Sequence, residues 1–138
     1  MACPYFVPVE MVSDGWWPHP SRLPLGAGWK GNCLGSGSEL PASDEHARDF
    51  CNLGNAAACP HLPLGRDWDA IRFSVARVSR ERLTLCFVCE RGHAPVEHGE
   101  LIYDLFSGVW LAAHSDSRVL RLASSYLKTY RARGSVLV

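Results

Sequence analysis

Four cysteines spread over the first 59 residues, in the pattern C-x29-C-x17-C-x7-C, constrain this chain more than anything else in it. They are Cys3, Cys33, Cys51 and Cys59. Around them, regular structure is hard to write. Eight of the nine prolines and eight of the twelve glycines fall within the first 65 residues, which removes backbone donors and raises the entropy cost of order. The same stretch carries Trp16, Trp17 and Trp29 and few charges, which is not the composition of a disordered segment. An ordered but irregular half needs a staple, and metal ligation by thiolates supplies one.

The neighbours of each cysteine suit that role. Cys3-Pro4 and Cys59-Pro60 place a proline directly after the sulfur, turning the chain away from it as in bacterial ferredoxin motifs. Cys33 sits among glycines, in Gly31-Asn32-Cys33-Leu34-Gly35, where the main chain can approach closely enough to donate N–H groups to sulfur. Tyr5, Phe6, Trp29 and Phe50 can exclude water. Structural zinc sites draw their cysteines in pairs two to four residues apart, and none of these four has such a partner. Single cysteines from separate loops favour a [4Fe–4S] cluster, although the spacing matches no ferredoxin run. Two alternatives stay open: a zinc ion on the same four ligands, and reduced cysteines that only pack.

Cys86 and Cys89 form C-x-x-C within Leu85-Cys86-Phe87-Val88-Cys89, with no glycine or proline to bend it. Alternation along a strand sends the two side chains to opposite faces, so they are expected to pack rather than share a metal. A rival chemistry lies in His93, Glu97 and His98, read as a loop after Glu90, where imidazoles and a carboxylate can act as acid and base. His19, His46 and His61 lie near the candidate ligand cysteines, as hydrogen-bond donors to them or alternative ligands.

Cys3-Pro4-Tyr5-Phe6, Gly31-Asn32-Cys33, Cys51-Asn52-Leu53-Gly54, Cys59-Pro60 and the stretch from His98 to Tyr103 resemble a group of small uncharacterised bacterial cysteine-rich proteins. The resemblance spans nearly the whole chain and implies four thiolate ligands for an iron–sulfur centre, with no activity attached. Asn55 departs from the aromatic residue that the pattern expects there.

The remaining elements are read from periodicity. Ser43 or Asp44 can cap a short helix over 44–53, stopped by Gly54. Residues 69–79 and 82–91 alternate as two antiparallel strands joined by Ser79-Arg80-Glu81-Arg82, ending at Gly92. Residues 99–114 read as a second hairpin turning at Ser107-Gly108 or a helix interrupted by Gly108, and the strand-forming residues on both sides favour the hairpin. A helix opens near Asp116 and runs to Arg133, with Gly134 as its stop. Its apolar face is Val119, Leu122, Ala123, Tyr126, Leu127 and Tyr130; Arg121, Ser124, Lys128 and Arg131 lie opposite.

The expected fold is therefore α+β in a single domain over 1–138: an irregular cysteine-rich half over 1–68, then a small antiparallel sheet of three or four strands with the carboxy-terminal helix packed on it. A formal charge of zero offers no field for nucleic acid or an anionic membrane, and no apolar run reaches spanning length. The amino terminus has neither a basic stretch nor an apolar segment of leader length, so a reducing cytoplasmic location is expected. Three functions follow. One is a [4Fe–4S] protein that transfers electrons to a redox partner, senses redox state or uses the cluster structurally. Another is a zinc-stabilised interaction module, and the third a small enzyme built on His93, Glu97 and His98.

Overall fold

The computed structural model describes residues 2–12, 22–53 and 59–137, the last four of these by backbone alone. Trp16, Trp17, His19, Gly54 and Asn55 fall outside these residues. The cysteine-rich half is more regular than its composition suggests. It forms a three-stranded antiparallel sheet in the order β1 (Phe6–Val12), β2 (Gly28–Cys33), β3 (Leu40–Pro41). Proline does not prevent this, because Pro8 lies on the edge strand, next to a register shift between Pro8 and Glu10. Gly31, paired with Pro8, is needed for close approach: a Cβ there would stand 2.0 Å from the Val7 carbonyl oxygen.

After β3 the chain makes one helical turn, α1 (Asp44–His46), whose cap is Ser43; its hydroxyl accepts from the His46 N–H at 3.1 Å. The turn then widens into a π-turn over Ala47–Cys51, with the Asn52 N–H donating to the Ala47 carbonyl at 3.1 Å. Ala47 and Cys51 both face inward and are buried.

The second half follows the alternation closely. Strands β4 (Ala70–Val78), β5 (Arg82–Arg91), β6 (Ala94–Asp104) and β7 (Val109–Ala112) form one antiparallel sheet in chain order. Ile71, Phe73, Leu83, Leu85, Phe87, Cys89 and Leu101 line its inner face, all buried. The β6–β7 hairpin turns through Leu105 to Gly108, with Gly108 at φ +71° and Asp104 accepting from Phe106 N–H and Ser107 Oγ. The segment expected as a histidine loop is instead a tight hairpin. Gly92 (φ +59°) and His93 (φ +66°) carry the left-handed pair of a type I′ turn, and β6 starts at Ala94.

Helix α2 (Ser117–Leu137) opens on Asp116, whose carboxylate accepts from the Arg118 N–H at 2.9 Å. Val119, Leu122, Ala123 and Leu127 are buried, while Ser124, Lys128 and Arg131 stay exposed, as the spacing requires. The helix does not stop at Gly134. A helical glycine costs only about 1 kcal/mol against alanine, and no proline follows to forbid continuation. The helix packs against β1 and β4, joining both halves in one apolar core that runs from Ala2 and Trp29 to Leu101 and Leu127. Among the described residues, no helix is long and apolar enough to cross a membrane.

Candidate metal centre

Four separate elements carry the early cysteines to one place. Cys3 lies at the seam between the sheets, because Ala2 and Ile71 exchange backbone hydrogen bonds of 2.7 and 2.8 Å just before it. Cys33 ends β2, Cys51 ends the π-turn, and Cys59 lies in the segment that follows. All four line a single cavity, with Phe6, His46, Phe50, His61 and Leu62 completing its wall. The space between these side chains is about 10 Å³, enough for the centre of roughly one water-sized sphere. All six cysteines of the chain are free thiols. Among the described residues, no group of three or more His, Cys, Asp or Glu comes close enough to hold a single metal ion.

The main chain around each sulfur is arranged for negative charge. Gly35 N–H points at Cys33 Sγ (3.3 Å), and His61 N–H at Cys59 Sγ (3.4 Å). The Tyr5 and Phe6 N–H groups favour the charged form of Cys3, and its own N–H does so for Cys51. Three of the four sulfurs thus meet the N–H two residues onward. Gly35 is essential to this packing. A Cβ there would lie 2.3 Å from the His61 carbonyl oxygen, so the Cys33 and Cys59 turns touch through it.

Burial opposes these donors. Cys3 and Cys51 are each 8% exposed, and desolvation pushes their thiols up to about 11 and about 12. Charge on neighbouring sulfurs adds to the effect. Cys51 feels Cys3, Cys33 and Cys59, and Cys3 feels Cys33 and Cys59. Burial thus disfavours the thiolate forms of Cys3 and Cys51.

Asn52 ties the Cys33-bearing strand to the Cys51-bearing turn. It is 3% exposed; its side-chain oxygen accepts from Trp29 N–H at 2.8 Å, and its amide donates to Trp29 O (2.9 Å) and Ala47 O (2.6 Å). One side chain therefore completes the backbone of β2 and closes the π-turn, fixing Cys33 relative to Cys51. The signal available was its place directly after a candidate ligand cysteine, before a turn, where a short amide can mimic backbone.

His46 and His61 flank the cavity. The His46 ring lies 4.8 Å from Phe50 and 4.7 Å from His61, with Nε2 3.1 Å from Cys59 Sγ. Burial, and then the neighbouring His61, lower its proton affinity. A neutral His46 can present Nε2–H to a charged Cys59.

The other candidates disperse. Cys86 and Cys89 occupy a ladder without register shift from Arg82 to Cys89, three positions apart, and so face opposite sides. Cys89 is fully buried, and burial pushes its thiol up to about 12. Glu97 and His98 are adjacent in β6 and likewise point to opposite faces, while His93 occupies the turn. Glu97 pairs instead with His114 Nε2 at 2.5 Å; His114 Nδ1 accepts from the Asp116 N–H, and its ring packs edge-on against Trp68 and Phe87. That pairing joins β6 to the entry of α2, and no local spacing announced it.

No protein-family model matches the chain, and no curated protein or solved structure matches it significantly.

Proposed function

We propose that Cys3, Cys33, Cys51 and Cys59 ligate a [4Fe–4S] cluster and that the protein moves single electrons through it. The observation that carries this reading is the ring of four cysteines around one cavity, each sulfur met by a backbone N–H group. Such donors neutralise the negative charge of cluster sulfur and tune its potential. Two features favour a cluster over zinc. The four cysteines come singly from four segments, without the close sequence pairs of structural zinc knuckles, and the donors that meet them are backbone N–H groups of the kind that serve cluster sulfur. A cubane spreads its thiolates over four separate irons. The space between these side chains is small; Cys3 and Cys51 belong to the buried core, whereas Cys33 and Cys59 are half-buried.

When bound, the cluster supplies a one-electron couple; this chain supplies the thiolates, the N–H donors and the apolar wall of Phe6, Phe50 and Leu62. Four cysteine ligands leave no coordination position for a substrate, which favours electron transfer or sensing over Lewis-acid catalysis. Six free thiols support a reducing, cytoplasmic setting.

Anaerobic purification with iron, sulfide and zinc analysis tests the reading. A brown protein with about four irons and four sulfides per chain is expected, and serine at Cys3 or Cys51 abolishes the colour. A colourless protein with one zinc per chain selects the interaction module instead.

A further inference from the structure

The four sulfurs are not equally covered. Cys3 and Cys51 belong to the apolar core, whereas Cys33 and Cys59 are only half-buried. Beside Cys33 opens a cleft of about 300 Å³, walled by Leu40, Pro41, Ser43, His46 and His61. Leu40 is 52% exposed at its rim, and His46 bridges from the cleft to Cys59 Sγ at 3.1 Å. Electronic coupling falls steeply with the thickness of matter between donor and acceptor. A partner seated here meets Cys33 at the cleft wall and lies one imidazole, that of His46, from Cys59 Sγ. From the Cys3 and Cys51 side the path crosses the core.

The rim also has a sign. Between Ser36 and His46 the chain carries Glu39, Asp44 and Glu45 and no lysine or arginine. Asp44 and Glu45 are exposed in the first turn of α1. The nearest cations are engaged with acids: Arg48 pairs with Asp49, and Arg121 lies 3.8 Å from Glu39.

We infer that electrons enter and leave at the Cys33–Cys59 edge through this cleft, and that the redox partner meeting it is positively charged there. The inference rests on the cluster reading above. The step is one electron from the reduced cluster to a one-electron acceptor, with no proton or bond exchanged. Local negative potential attracts a cationic acceptor and repels an anionic one, and salt screens both effects.

The test uses the full chain with its cluster, reduced and then mixed in stopped flow with hexaammineruthenium(III), a cation, or ferricyanide, an anion. The ratio of the two rates is read for wild type, Glu45→Lys, Ser36→Lys and the control Val78→Lys, the last at the far end of β4. At low salt, Glu45→Lys lowers the ruthenium-to-ferricyanide ratio by about three- to tenfold, Ser36→Lys lowers it less, and both effects collapse near 0.5 M salt, on the order expected for steering. Val78→Lys leaves it unchanged. The inference is overturned if Val78→Lys shifts the ratio as much as the rim variants, or if neither rim variant moves it. Failure of the cluster reading is visible earlier, as wild-type protein without iron or colour, and it removes the inference with it.

Discussion

The sulfur-bearing half and the sheet-and-helix half are held together by different means. In the second, four strands and α2 bury Ile71, Leu83, Leu85, Leu101, Val119 and Leu122 to the point of full burial, and apolar area supplies the stability. The first also buries Phe6, Leu25 and Trp29 in the shared core, but its geometry turns on particular contacts: Asn52 completing the backbone of Trp29, Gly31 and Gly35 admitting close approaches, and Trp29 Nε1 reaching Thr129 Oγ1 at 3.3 Å. A half built this way contains two buried thiols that resist ionisation, and the proposed cluster would replace their protons. The difference teaches that metal loading should stabilise one region and leave the other nearly untouched.

The sharpest way to break that contrast is Leu85→Ala, in the sheet core. It removes a fully buried side chain and is expected to cost about 2–5 kcal/mol in urea unfolding. Cluster loading does not restore local hydrogen-exchange protection in β5. Asn52→Ala comes next, at about 2–3 kcal/mol, since the Trp29 N–H and O lose their shared partner in a buried place. Here cluster loading restores much of the protection in β2, and equal rescue of both variants would erase the distinction between the halves.

A smaller effect concerns pH. In the metal-free fold, Cys3 and Cys51 titrate at about 11 and about 12, against 9.0 for an unperturbed thiol. Between those values the unfolded chain binds fewer protons than the folded one, so stability is intact below pH 9 and falls as pH rises above it. The loss from these two thiols is about 2 kcal/mol between pH 9 and 10, and Cys51→Ser, which removes one of them, takes away about half of it. A metal-free protein whose stability rises over that window would show that these sulfurs are not buried together.

Much of the second half was legible because its signals are local and repeated. The alternation of Ile71, Phe73 and Val75 against Arg72 and Ser74, the Ser107-Gly108 turn and the three- and four-residue steps from Val119 to Tyr130 each repeat one period. The sheet of β1, β2 and β3 was not, because Pro8 and the glycines of β2 look like breakers until an edge position and a close strand approach make them compatible. His93 in a left-handed turn hid the β5–β6 hairpin, since glycine, asparagine or aspartate is the usual marker there. Around the candidate centre, spacing pointed to the four cysteines. The role of Asn52 and the pairing of Glu97 with His114 depend on contacts between distant segments, which no window of sequence contains.

The most direct test is iron X-ray absorption together with Mössbauer spectroscopy on protein purified and kept without oxygen. The account predicts four tetrahedral irons per chain, each bonded to sulfur with short iron–iron vectors, lost together when Cys33 or Cys59 becomes serine along with Cys51. Protein that binds no iron under these conditions, or holds a lone zinc on the same cysteines, contradicts it.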